Sequence, residues 1–113
     1  MTITIYHNPK CSNSRGCLEL IRAAGHEPGI VEYLKTPPSK SELAALVKAM
    51  GIAPRELVRT KEAVYAQLGL AEAGDEALLE AMAKHPILIN RPIVVTEKGA
   101  ALCRPPERVK TLF

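Results

Sequence analysis

Apolar and polar positions change period along this chain, and the changes mark out its elements. Thr2-Ile3-Thr4-Ile5-Tyr6 alternates with a period of two and predicts a strand over residues 2–6. Between Asn13 and Ala24 the spacing becomes helical: Cys17, Leu18, Ile21 and Ala24 share one stripe and Gly25 supplies a stop. Glu27-Pro28-Gly29 then signals a turn into a second strand ending near Leu34. Strand, helix and strand in that order predict a right-handed parallel βαβ unit.

Thr36-Pro37-Pro38-Ser39 breaks the pattern. Ser39 followed by Glu42 is a capping box, and Leu43, Leu46, Val47 and Met50 then form one helical face ended by Gly51. Shorter helical patterns cover residues 54–58 and 63–68, and a longer one residues 75–84, with Leu78, Leu79 and Met82 apolar. Residues 39–85 therefore read as an all-helical insertion, with no Gly/Ser linker to set it apart as a second domain. The β signal returns after Pro86, but Pro92 cannot donate to a ladder, so the strand proper starts just beyond it. Glu97-Lys98-Gly99 is a hairpin turn, Ala101-Leu102-Cys103 its partner strand, and Pro105-Pro106 opens a last helix over residues 107–112. The order βαβ, helical insertion, ββα predicts an α/β fold. It is a thioredoxin-like plan, a mixed four-stranded sheet with flanking helices and an inserted helical lobe.

Composition narrows the classes. A length of 113 residues suits one domain, 1–113, which can bury about two thirds of its unfolded surface without a disulfide. The net charge of +3 is spread along the chain, too weak for a nucleic-acid footprint yet suited to a small anionic substrate. No run is long enough to span a membrane, and the first residues enter a strand pattern at once, so neither a membrane partner nor a signal peptide is expected. Three cysteines without metal-ligand spacing argue against a secreted disulfide framework and against zinc, and predict a reducing, cytoplasmic setting with no bound metal or cofactor.

The candidate chemistry lies in Tyr6-His7-Asn8-Pro9-Lys10-Cys11-Ser12-Asn13-Ser14-Arg15. A strand, a polar loop and a helix start gather unpaired backbone N–H groups at one point. Cys11 sits there, just before Ser12 and Asn13, the residues best suited to cap the helix, with His7, Lys10 and Arg15 nearby. Such surroundings lower a thiol pKa and supply the nucleophilic thiolate. Cys17, on the apolar stripe, reads instead as a core thiol, and Cys103 as structural.

These residues resemble the active-site loop of the glutaredoxin-linked ArsC family of arsenate reductases. The resemblance continues through Tyr33-Leu34-Lys35-Thr36-Pro37-Pro38, Arg55-Glu56-Leu57-Val58-Arg59 and Leu68-Gly69-Leu70-Ala71-Glu72. It closes with the specific block from His85 to Val95 and with Cys103-Arg104-Pro105-Pro106-Glu107. It implies that Cys11 attacks arsenate to give a covalent thiol–arsenate adduct. It further implies that Arg59, Arg91 and Arg104 hold the oxyanion, and that His7, Ser14 and Arg15 support the thiolate. Glutathione, and then glutaredoxin, would complete reduction to arsenite. The thioredoxin-like resemblance also implies a cis Arg91–Pro92 bond.

The residue chemistry points the same way. A tetrahedral oxyanion of the phosphate type carries about −1.5 to −2 charge near neutrality, and guanidinium groups bind such oxygens bidentately where lysine offers only a point charge. A glutaredoxin-type dithiol oxidoreductase would need a second cysteine where Ser14 stands. The remaining alternatives are an Spx-type regulator that binds RNA polymerase and a related thiol-dependent oxyanion reductase.

Overall fold

A computed structural model describes residues 1–113. The chain divides into two compact units, residues 1–36 with 91–113, and residues 37–90.

The first unit is built on a four-stranded sheet with strand order β2-β1-β3-β4. Strand β1 (Thr4–His7) runs parallel to β2 (Gly29–Glu32) and antiparallel to β3 (Ile93–Thr96), which pairs antiparallel with β4 (Gly99–Leu102). This is the mixed sheet of the thioredoxin-like plan. Helix α1 (Ser12–Ala23) connects β1 to β2. The register sets Tyr6 against Ile93 and Ile93 against Leu102, so the ends of β1 and β4 and the start of β3 meet at one edge of the sheet.

Alternation along β1 buries Ile5 and His7 and leaves Thr4 and Tyr6 partly exposed. Ile3 and Ile5 pack with Cys17 and Ile21 of α1, Val94 of β3, Cys103, and Val109 and Leu112 of a C-terminal 3-10 helix (Pro106–Leu112). That helix lies close against α1: a side chain on Gly16 would meet Pro106 Cγ at 3.4 Å. Helix α1 ends as its glycine implies. Gly25 has φ +88°, its N–H bonds the Arg22 carbonyl, and the His26 N–H bonds that of Ile21, closing the last turn. Two prolyl bonds are cis, Arg91–Pro92, as expected, and Arg104–Pro105.

Several boundaries differ from the sequence reading, among them β4, which takes in Gly99 and Ala100 and ends at Leu102 rather than Cys103. Strand β1 begins at Thr4 rather than residue 2, although Ile3 is still buried. Strand β2 stops at Glu32, because the Lys35 and Thr36 N–H groups both turn back onto the Glu32 carbonyl. The last helix is 3-10 throughout.

The helical unit carries α2 (Lys40–Met50), α3 (Pro54–Leu57), α4 (Ala63–Gln67), a 3-10 turn (Leu70–Glu72), α5 (Asp75–Lys84) and a second 3-10 turn (Pro86–Leu88). The expected capping box forms at α2: the Glu42 N–H donates to Ser39 Oγ at 3.1 Å, and the Ser39 N–H to the Glu42 carboxylate at 3.4 Å. Leu43, Leu46 and Val47 of α2 and Leu78, Leu79 and Met82 of α5 are buried where those helices pack together. Residues 86–88, read from sequence as the return of β structure, form the second 3-10 turn instead. The residues beyond them do pair: Val58 and Ile89 form an antiparallel bridge flanked by Arg59 N–H to Leu88 O (2.7 Å) and Asn90 N–H to Leu57 O (2.8 Å).

Arg55 closes this unit. Its guanidinium donates to Tyr65 Oη (3.0 Å) and to the carbonyls of Leu70 (3.0 Å) and Ala73 (2.7 Å), satisfying a loop that has no ladder of its own. Arg55→Met keeps the aliphatic stem and orphans those acceptors, so it should cost on the order of 2 kcal/mol. Urea unfolding should show a lower midpoint at unchanged slope. A midpoint equal to the parent's would mean that water replaces the guanidinium without loss.

Candidate active site

Cys11 is itself the N-cap of α1. Its backbone is extended (φ −94°, ψ 124°) and its carbonyl accepts the Arg15 N–H at 3.0 Å, so Ser12 is already the first helical residue. The expectation that Ser12 or Asn13 would cap the helix is thereby corrected. No side-chain hydrogen bond caps the end. The backbone N–H groups of Ser14 and Asn13 favour the thiolate form of Cys11.

Asn8, not singled out from the sequence, shapes the loop. Its carbonyl accepts the Cys11 N–H (3.0 Å), its Oδ1 accepts the Lys10 N–H (3.0 Å), and its own N–H donates to Ser14 Oγ (3.1 Å). The signal lay in the Asn8-Pro9 pair, since an asparagine before proline favours a turn closed onto the backbone two residues on.

His7 shares the buried face of β1 and meets the buried Ser14 hydroxyl at Nδ1, 2.6 Å away. Burial lowers the His7 pKa, the Glu32 carboxylate opposes this, and Arg22 and Arg15 add to it; the net shift is downward. The imidazole is then mostly neutral near pH 7, and its Nδ1 is hydrogen-bonded to the Ser14 hydroxyl, whose oxygen also accepts the Asn8 N–H. His7 thus touches Ser14, which in turn presents its N–H to the sulfur. Arg15 folds its guanidinium back onto the Pro9 carbonyl (Nη1 to O, 3.0 Å).

Partial burial pushes the Cys11 thiol up, but the Ser14 N–H, the Arg91 guanidinium and the Asn13 N–H together outweigh it, and the pKa lies below the ordinary thiol value. The Arg91 guanidinium favours the thiolate. Arg104 holds its Nη1 at 2.9 Å from the Arg91 carbonyl and 3.9 Å from Cys11 Sγ. Residues 11, 91 and 104 therefore converge although they are far apart in sequence.

Arg59 lies in the helical unit, with its Nε 3.3 Å from Glu62 Oε1. Cys17 and Cys103 are wholly buried in the sheet core, as expected of core thiols. Contact with Cys103, together with burial, pushes the Cys17 thiol far up. No cluster of His, Cys, Asp or Glu suited to a metal ion occurs, and no helix is long and apolar enough to cross a membrane. What the arrangement offers is a half-buried nucleophilic sulfur ringed by backbone N–H groups and two guanidinium groups, a site for developing negative charge.

Residues 6–112 match the model of the ArsC family. The chain is 55% identical over 111 residues to the arsenate reductase of Rhizobium meliloti (strain 1021), covering 96% of this chain and 79% of that protein. It is likewise 55% identical over 109 residues to the arsenate reductase of Escherichia coli (strain K12), covering 95% and 77%. The solved structure of the arsenate reductase from Vibrio cholerae superposes with a TM-score of 0.96 at 45% identity, over 100% of this chain and 98% of that one.

The thiol environments predict a graded reactivity. Iodoacetamide should modify Cys11 with a rate that titrates below the ordinary thiol range, while Cys17 and Cys103 react only on unfolding. In Arg91→Met the midpoint should move to higher pH, because a group favouring the thiolate is gone. Peptide mass mapping reads the site; an unshifted midpoint would assign the depression to the helix N–H groups alone.

Proposed function

The chain belongs to the ArsC family, and on that premise we propose that it reduces arsenate to arsenite with Cys11 as the nucleophile. The observation that carries this reading is the Cys11 sulfur, held below its usual pKa at the start of α1 with Arg91 and Arg104 against it. A thiolate and an oxyanion repel one another. Permanent guanidinium charges offset that repulsion and then hold the oxygens as the adduct forms. The named activity of relatives more than half identical to this chain favours a reductase over a polymerase-binding regulator.

In the proposed cycle the Cys11 thiolate attacks arsenic, a sulfur–arsenic bond forms, and one arsenic–oxygen bond breaks. The oxygen leaves as water with the proton the thiol gave up. Arsenic remains pentavalent in this adduct. A glutathione thiol displaces a second oxygen, again as water, and places a second sulfur on arsenic. Glutaredoxin then attacks the glutathione sulfur. The arsenic–sulfur bond breaks, its electron pair stays on arsenic, and a mixed disulfide of glutaredoxin and glutathione departs. Water releases trivalent arsenite from Cys11 and restores the thiol. No neighbouring thiol can substitute for these external ones, since Ser14 occupies the near position and Cys17 and Cys103 are buried.

Arg91 and Arg104 are the proposed oxyanion ligands in this unit, and the family motif assigns Arg59 the same task. The Ser14 hydroxyl, held between His7 and Asn8, is proposed to fix the N–H groups that support the thiolate.

A coupled assay with arsenate, glutathione and glutaredoxin tests the reading. Cys11→Ser should abolish turnover, because a serine hydroxyl does not ionise near neutrality and forms no sulfur–arsenic bond. Cys17→Ala and Cys103→Ala should retain most of it wherever they fold. Arg91→Lys and Arg59→Lys should raise KM for arsenate through loss of the bidentate fork. A folded Cys103→Ala as inactive as Cys11→Ser would instead require an internal disulfide cycle.

A further inference from the structure

Two cations beside Cys11 hold no oxyanion or leaving group in that cycle. Lys10 is exposed, adjoins the nucleophile in sequence, and its backbone N–H is fixed by Asn8 Oδ1 at 3.0 Å. Its ammonium makes no ion pair. Arg15, also exposed, is held by its Nη1 on the Pro9 carbonyl at 3.0 Å and has no carboxylate partner either, which leaves its other N–H donors to solvent. The Pro9 tether keeps the Arg15 charge beside residues 9–11, where Lys10 also lies in sequence. Neither is among the groups that lower the Cys11 pKa, which are backbone N–H groups and Arg91. Both side chains are exposed and without an ion pair, so their charge is open to solutes arriving at the sulfur, whereas Arg104 lies with its Nη1 3.9 Å from the sulfur itself.

We propose that Lys10 and Arg15 form a cationic rim that captures the carboxylates of a small anionic thiol, the co-substrate that attacks Cys11 once it is loaded. The inference rests on the reductase reading and names how its second substrate is recognised. Glutathione fits by its chemistry: it has two carboxylates and one ammonium, and so a net negative charge near neutrality. A flexible ammonium and a guanidinium pinned at one edge can each hold one carboxylate. The captured thiol then forms its sulfur–arsenic bond, one arsenic–oxygen bond breaks, and the thiol proton leaves with that oxygen as water. Exposed charges act here chiefly on encounter rate, and salt screens them.

Small disulfides of different charge test the rim without arsenic. Each reacts with the Cys11 thiolate to form a mixed disulfide on Cys11 and release one thiol. The probes are glutathione disulfide, which is anionic, hydroxyethyl disulfide, which is neutral, and cystamine, which is cationic. In Lys10→Ala, and more in Lys10→Glu, the rate with glutathione disulfide should fall about three- to tenfold at low salt. The neutral probe should hold its rate and cystamine should gain. The difference should collapse in about 1 M salt. Arg15→Gln, which keeps donors for the Pro9 carbonyl, should act in the same direction. In steady-state reduction by Lys10→Ala, KM for glutathione should rise while KM for arsenate stays.

Equal slowing of all three probes would show that Lys10 acts on the thiolate itself and would overturn the rim. So would no change with any of them. If the charge discrimination holds but the parent protein reduces no arsenate, the reductase reading fails and an anionic-thiol site remains. If arsenate is reduced with glutathione and the probes are not discriminated, the rim fails and the reductase reading stands.

Discussion

The site depends on a sulfur atom standing at the cap position of a helix. Helix α1 begins with N–H groups that need acceptors, and most helices meet that need with an oxygen from Ser, Thr, Asp or Asn. Here the capping position is Cys11, whose side chain makes no cap hydrogen bond, and the Asn13 and Ser14 N–H groups favour its ionised form. A protonated thiol is a poor acceptor and a thiolate a good one. The helix start thus favours the ionised sulfur, and the N–H groups left without a side-chain cap are the ones that poise the nucleophile. An ordinary capping residue would stabilise the helix as well or better and would remove the chemistry.

The sheet brings the charge to that sulfur. Strands β3 and β4 pair through Ile93 and Leu102, and the Cys103 N–H carries the ladder one step further to the Pro92 carbonyl at 2.9 Å. Arg91 and Arg104, which flank that last rung, leave the sheet side by side. Arg104 then spends a donor on the Arg91 carbonyl, which fixes its guanidinium at the cost of one contact otherwise open to an anion. Because β1 pairs with β3, the edge they leave from is the one where β1 delivers its loop and Cys11. Hairpin register, set by alternation and by a two-residue turn, decides the electrostatics of a residue far away in sequence.

Much of this was legible before any coordinates. Periods of two and 3.6, the Ser39–Glu42 box, the glycine stops and the prolines fixed the existence and order of the main elements. The misreadings share a cause. Ser12 was favoured as a cap on propensity, but where the chain enters the helix is decided by the Asn8 carbonyl and by Ser14 reaching back to His7 and the Asn8 N–H, which propensity does not encode. Residues 86–88 look like strand because they are apolar, yet Pro86 suits a first turn, and the Leu88 and Ile89 N–H groups fold back onto His85 and Pro86. Tyr33 and Leu34 continue the apolar run of β2, but the turn onto Glu32 ends the ladder before them. Short apolar runs do not distinguish strand from 3-10 turn; hydrogen-bond partners do.

The three cysteines show why residue type alone could not assign the chemistry. Cys17 lies little more than one and a half turns beyond Cys11 on the same helix, yet it faces Ile3, Ile5 and Val94, where a negative charge would have no water and no cation. Its nearest polar company is Cys103, and their contact ties α1 to the segment that carries Arg104. Placing these thiols in the core supports the positions of Cys11 and Arg104 by packing and keeps them out of sulfur exchange. The division of labour comes from helical geometry: one turn begins at the mouth of the site and the next is already in the core, so a single helix supplies both the reactive sulfur and an inert one.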